Sequence, residues 1–276
     1  MPRLAKSAVI DWFNLLNQGI LPSGTADSDT HQRRTTELNA RNYVASTVTD
    51  PGLLGGQATT LAANIVAGRS IGTNALFVTV NANAPSTGQT AGLRIGQSTI
   101  LSTSDGTVNV TVDVKSPLWA EFDKIQFFVN AAPQTYDHDN KPTTRNRYRA
   151  LPSNVCSPAS GCYEKVAGTD FTISTVNDFP SIPGAQHFEA SATLNLTGLT
   201  GDAWVVVLVR GTDGVSHPLF PVMPNSLKQA GNTTFAQLTD GNLNEEGLLA
   251  LAFTNPLFID GNNDTTWTPP GVVLTP

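Results

Sequence analysis

Charge is scarce in this chain. Only 14% of its 276 residues are Asp, Glu, Lys or Arg, against about 25% in an average soluble protein. What charge there is sums to −6, with a pI near 5.1. That argues against a nucleic-acid footprint, which needs a basic face. No stretch approaches the ~18 apolar residues of a membrane span, and the N-terminus lacks the long apolar core of a signal peptide. No fixed repeat period emerges, which speaks against a propeller or solenoid. Cysteine is limited to Cys156 and Cys162, and no second Cys/His pair lies nearby at zinc-ligand spacing.

Thr, Asn, Ser and Gly fill the gap left by charge, a mix common in β-rich exported proteins. The length prior favours two domains. The two cysteines bracket Ser157-Pro158-Ala159-Ser160-Gly161, a short loop that can bring both sulfurs within bonding distance. A disulfide there fits an oxidising compartment, and a pair of free thiols is the alternative. The expected location is therefore extracytoplasmic, periplasmic or secreted. Because Met1 leads almost at once into Ala8-Val9-Ile10-Asp11-Trp12-Phe13, we expect the chain to begin inside a domain, with any export signal encoded upstream.

Val9, Trp12, Phe13 and Leu16 recur at helical spacing, and Gly19 follows where a helix would stop. Ile20 and Leu21 are expected to begin a short strand leading into Gly24-Thr25-Ala26-Asp27-Ser28-Asp29-Thr30-His31. Side chains two apart on an extended segment point the same way, so Asp29 and His31 can face one ion together. A carboxylate oxygen beside an imidazole suits Zn, Mn or Fe. Alone, D-x-H is a weak signal, and an Asx-type turn with a solvated histidine is its simpler explanation. Further on, Tyr43-Val44-Ala45 reads as a strand edge and Asp50-Pro51 as an N-cap with an N1 proline. Ala58 to Ala67 reads as a helix with Leu61, Ile65 and Val66 inward and Gly68 as its stop.

From about Ser70 the hydrophobic period changes from 3.6 to 2. Leu76 to Val80, Val108 to Val114, Ile125 to Val129, Phe188 to Leu196 and Trp204 to Val209 are strand-like runs between Gly, Asn, Asp and Pro turns. Such runs without strong helices between them predict an antiparallel sandwich. Trp204 to Val209 is apolar on both faces and is expected to be central. Tyr136 to Asn140 and the basic residues Lys141, Arg145, Arg147 and Arg149 read as exposed turns or edges. His187 and His217 have no partner at motif spacing, and Trp119, Trp204 and Trp267 are expected to be core or edge residues. Asp260, Asn262 and Asp264 place oxygens at positions one, three and five of a calcium-type loop. Position six is Thr265 and no Glu stands at position twelve, which excludes an EF-hand. A looser Ca site and an Asx/Gly turn remain the two readings.

Asp11 to Gly19, Gly24 to His31, Arg41-Asn42-Tyr43-Val44 and Ala67-Gly68-Arg69-Ser70, with Ala252 to Asp260 at the far end, together resemble the closing segment of a metal-dependent hydrolase family. The family is the PHP (polymerase and histidinol phosphatase) superfamily, in its carbaryl-hydrolase-like branch. Asp27 and Asn39-Ala40 depart from its usual pattern. The resemblance implies an α/β remnant, the last strand-helix units of a PHP-type barrel truncated at its N-terminus, over residues 1–70. An all-β antiparallel sandwich over 71–276 follows, with an irregular insertion at about 131–187. It implies that Asp29 and His31 are metal ligands, that Asp29 can also relay the proton of a metal-activated water, and that Arg41 contacts substrate. It further implies divalent Zn, Mn or Fe and a small-molecule ester, amide or phosphoester substrate, the other ligands coming from the missing N-terminal part of the same barrel. On this expectation the chain alone is inactive. The alternative is a non-enzymatic β-sandwich, a binding or structural module of an exported protein.

Overall fold

Alternation with a period of two governs most of the chain, and the strands follow it. The computed structural model describes residues 9, 12–26, 40–48, 50–131, 156–179, 181–182, 184–212, 215–216 and 249–271. Residues 12–17 are helical (α1). The strands are β1 (Arg41–Val44), β2 (Ser70–Thr73), β3 (Phe77–Ala84), β4 (Gln89–Gly92), β5 (Ile100–Ser102), β6 (Val108–Pro117) and β7 (Lys124–Val129). They continue as β8 (Cys162–Val166), β9 (Ser174–Asn177), β10 (Gln186–Leu196), β11 (Ala203–Arg210), β12 (Leu251–Thr254) and β13 (Leu257–Asp260). One further helix, α2 (Ala58–Val66), follows a 3-10 turn over Pro51–Gln57.

Among the described residues the strands form two sheets. The smaller runs β4-β3-β6-β10-β9, antiparallel throughout. In the larger, β11 is flanked on one side by β7 and on the other by β12 and β13, which share its length. Outside these lie β8 against β7, β2 and then β1 beyond β12, and β5 parallel to β13. Val108, Val110, Val112 and Val114 of β6 are fully buried. They meet Ile125 and Phe127 of β7 and Val205, Val207 and Val209 of β11 in one continuous core. Each such side chain contributes roughly 1.5–3 kcal/mol of transfer free energy.

The expected centrality of 204–209 is what the sheet shows, because β11 is buried on both faces. Its second face carries Trp204 and Val206, and α1 lies on them through Phe13 and Leu16. The Trp204 indole N–H donates to Asn17 Oδ1 at 2.8 Å, while Asn17 Nδ2 donates to the Ala131 carbonyl at 2.9 Å. A helix therefore seals the outer side of the central strand, and the one polar atom of the indole is satisfied there.

Several expectations are corrected. Ile20 and Leu21 are not in a strand; residues 20–26 join no ladder, the Ile20 N–H donating to the Leu15 carbonyl and later groups of the segment to side chains described below. Val66 of α2 does not point inward but is 79% exposed, and Asn64 is the one buried residue of that helix. Asn64 takes the inward position because its amide donates to the Ala45 carbonyl. The stretch expected as an irregular insertion holds β8, β9 and the start of β10 within its described residues. The predicted Asp50 cap is present, its Oδ1 accepting from Gly52 N at 2.8 Å, although it opens a 3-10 turn rather than the α-helix itself.

Candidate functional site

Asp29 and His31 lie outside the described residues, and so does the rest of the 27–39 stretch. Both flanks of that stretch are described. On the N-terminal side, Gly24 N donates to Asn255 Oδ1 at 2.7 Å, and Asn255 Nδ2 donates back to the Gly24 carbonyl at 3.2 Å. Asn255 is wholly buried at the break between β12 and β13, and its amide also donates to the Ser70 carbonyl at 2.9 Å. Two residues later Ala26 N donates to Asn42 Oδ1, and Asn42 Nδ2 donates to the Ala26 carbonyl, each at 2.8 Å. Ala26 and Asn42, which bracket the undescribed stretch, are thus held together by a reciprocal pair of hydrogen bonds.

Packing requires small residues here. A Cβ added to Gly72 would lie 2.3 Å from the Phe253 ring and 3.0 Å from the Ala26 Cβ; one added to Gly24 would lie 2.9 Å from Phe253 and 3.0 Å from Trp12. The backbone of residues 24–26 can cross β2 and β12 because neither glycine carries a side chain. Trp12 Nε1 donates to the Pro22 carbonyl at 2.8 Å, and Ser23 Oγ donates to the Ile65 carbonyl at 2.5 Å. The segment is therefore tied to α1, to α2 and to three strands before it reaches residue 27.

Asn42 rather than Arg41 faces this segment. Alternation along β1 sends Arg41 and Tyr43 to the opposite side, where the Tyr43 ring meets Phe77 edge-on at 5.3 Å. Asn42 and Asn255 lie inside the family-like stretches without belonging to any metal-ligand pattern. An asparagine at a strand end and another before Pro256 were the available signals, since such amides pair readily with nearby backbone.

The other candidates are placed as follows. Cys156 and Cys162 form a disulfide, with Cα atoms 4.8 Å apart, joining the 3-10 turn Pro158–Ser160 to the start of β8. Asp260 is fully buried. Its Oδ2 accepts from Ser102 Oγ at 2.8 Å and from Thr265 N at 2.9 Å, and its Oδ1 from Asp264 N at 3.2 Å. Asn262 Nδ2 donates to Asp264 Oδ2, and Asp264 Oδ1 accepts from Thr266 N. These hydrogen bonds close an Asx-type turn after β13. Trp204 is core, Trp267 packs on Phe258, and Trp119 is exposed.

His187 lies on β10, a strand histidine as expected, and two carboxylates stand close to its ring. Its Nδ1 lies 2.7 Å from Asp178 Oδ1 and its Nε2 2.8 Å from Glu189 Oε1, with Lys115 Nζ also on Glu189. Lys115 and then His187 hold the Glu189 carboxyl below its usual range. Nε2 is hydrogen-bonded to Glu189, whereas Nδ1 lies close to Asp178 without a hydrogen bond, and the two carboxylates stand at different ring nitrogens rather than converging on one point. Among the described residues no group of three or more His, Cys, Asp or Glu side chains is placed to hold a metal ion. His217 and residues 136–149 lie outside the described residues.

Neither family models, nor curated proteins, nor solved structures gave a match to this chain. No helix among the described residues is long and apolar enough to cross a membrane.

Proposed function

We propose that this chain is the C-terminal part of a PHP-type metal-dependent hydrolase. In this reading residues 27–39 carry two of its metal ligands, Asp29 and His31, and the β-sandwich is the platform on which that loop is mounted. One observation supports the reading above the others: the separate stretches on which the family resemblance rests converge at one place. Gly24 meets Asn255, Asn255 meets Ser70, Ala26 meets Asn42, and Ala45 N donates to the Arg69 carbonyl at 2.9 Å. Sequence segments that resemble one family and gather around the two ends of one loop are what a functional loop on a rigid seat requires.

The donor chemistry fits part of a site. A carboxylate and an imidazole suit Zn, Mn or Fe, and they are two of the three protein ligands usual at a catalytic zinc ion. A bound divalent ion would supply a water of lowered pKa to attack an ester, amide or phosphoester. The work of this chain is positional: Asn42 and Asn255 fix the loop ends, and the buried glycine crossing keeps them against the sheet. The disulfide fits an oxidising compartment and so an extracytoplasmic location.

The test is metal analysis of the product of the complete open reading frame, beside the Asp29→Ala and His31→Ala variants. Each variant is expected to lose bound metal together with hydrolysis of nitrophenyl esters or phosphates. The present chain alone is expected to hold only substoichiometric metal and to hydrolyse neither. Unchanged metal in both variants would end the hydrolase reading.

A further inference from the structure

The outer faces of the two sheets differ. That of the larger is covered by α1 over Trp204 and Val206, whereas that of the smaller is open and polar. Along β3, β6 and β10 the even-numbered residues of 78–84, 108–114 and 190–196 enter the core, so the odd-numbered ones line the opposite face. Strand register sets these in rows: Asn109 lies between Asn83 and Asn195, and Thr111 between Asn81 and Thr193. Asn83, Thr193 and Asn195 are exposed. The titratable groups of these three strands lie toward the other end of the face, in Asp113, the Lys115–Glu189 ion pair and His187.

We propose that this face binds a neutral polysaccharide. Every side chain in the two rows is an amide or a hydroxyl, and each both donates and accepts hydrogen bonds, as sugar hydroxyls do. Adjacent strands set these groups about 4.8 Å apart, a spacing comparable to the breadth of one sugar ring. Three of them are held in place by neighbours: Gln97 Nε2 donates to Asn81 Oδ1 at 3.1 Å, and the Thr111 and Thr193 hydroxyls share a hydrogen bond at 2.9 Å. Amides and hydroxyls have more capacity than these bonds consume. At one margin Phe77, opposite Lys115 in register and 41% exposed, adds an aromatic ring against which the apolar face of a sugar can lie. What the face lacks selects the same occupant. A phosphate polymer needs basic groups, and one lysine already paired with a glutamate does not supply them. A protein partner needs an apolar centre to its patch, and the two rows hold no apolar side chain. The inference goes beyond the hydrolase reading and does not depend on it, since neither Asp29 nor His31 takes part.

Affinity electrophoresis of the present chain tests this, in gels containing hydroxyethylcellulose, xyloglucan, galactomannan, dextran or starch, with alginate as the acidic comparison. Retarded migration is expected in at least one neutral gel. The Thr193→Ala/Asn195→Ala double variant is expected to weaken that retention at least about fivefold, as the loss of two hydrogen bonds implies, while keeping the urea midpoint of the parent. Should its midpoint fall, Asn83→Ala on β3 reads the same row from a different strand and is expected to weaken retention in the same direction. Retention in no gel overturns the proposal, as does retention that both variants leave unchanged. Retention in alginate alone also overturns it, because the ligand is then anionic. A present-chain dimer on sedimentation that the double variant dissociates would assign the face to a second copy and overturn it as well.

Discussion

Asn255 and Gly24, 231 residues apart, exchange two hydrogen bonds, the glycine N–H donating at 2.7 Å and the asparagine amide returning one to the glycine carbonyl at 3.2 Å. The same buried side chain donates to Ser70, so a single residue joins the N-terminal segment, β2 and the β12–β13 break. Asn255→Ala strips partners from buried backbone groups on both elements. It is expected to cost about 2–3 kcal/mol, read as a lower urea midpoint. Limited proteolysis should also begin to cut near residues 20–26. A variant with unchanged stability and no new cleavage would show that the loop base does not depend on this amide.

Gly72 lies opposite Asn42 in the β1–β2 pair, and its missing side chain leaves room for Phe253. Gly72→Ala is expected to destabilise by roughly 1–3 kcal/mol, the usual range for overpacking. Combining it with Phe253→Leu should recover part of that loss, because the obstacle is the ring. Strictly additive losses in the double variant would place the strain elsewhere.

The Cys156–Cys162 bond closes a short loop, with a sequence separation of 6. Chain entropy alone predicts a contribution of about 2 kcal/mol for so short a loop. Reduction, or the Cys156→Ser/Cys162→Ser double variant, should lower the denaturation midpoint accordingly. It should leave the core strands folded, since the bridge ties only a turn to β8 at the edge of the larger sheet. Global unfolding on reduction would contradict this.

Acid should weaken the fold through Glu189. Its carboxyl, held below its usual value of 4.5 first by Lys115 and then by His187, takes up its proton later in the folded than in the unfolded chain. The unfolded state therefore binds more protons in that window, and stability is lost as pH falls through and below the mid-fours. Glu189→Gln should lower stability at neutral pH and flatten this acid slope, so that the two denaturation curves approach each other once the folded-state carboxyl takes up its proton. Parallel curves at all pH values would remove Glu189 from the account.

The strands were legible because each carries its own signal. Val108 to Val114 alternates and became β6, and Trp204 to Val209 is apolar throughout and became the doubly covered β11. These are local patterns, set by which face of a pleat meets a neighbour. Val66 misled because helical spacing shows which residues share a stripe but not whether anything lies against it. The short edge strands β8 and β9 carry little signal because neither alternates between a buried and an exposed face: β8 is half-buried along most of its length and β9 is largely solvated.

By itself the sequence determined the β-rich class, the central strand, the caps and turns, and the cysteine loop. Each depends on residues within about ten positions of one another, whose preferences act before any long-range contact forms. Tertiary structure alone decided that Asn255 would hold Gly24, that Asn42 would close on Ala26, and that His187 would sit between Asp178 and Glu189. Those partners are chosen by sheet register and by which strands become neighbours. One-dimensional spacing carries no record of either, because a side-chain amide or imidazole accepts whichever polar group the fold delivers.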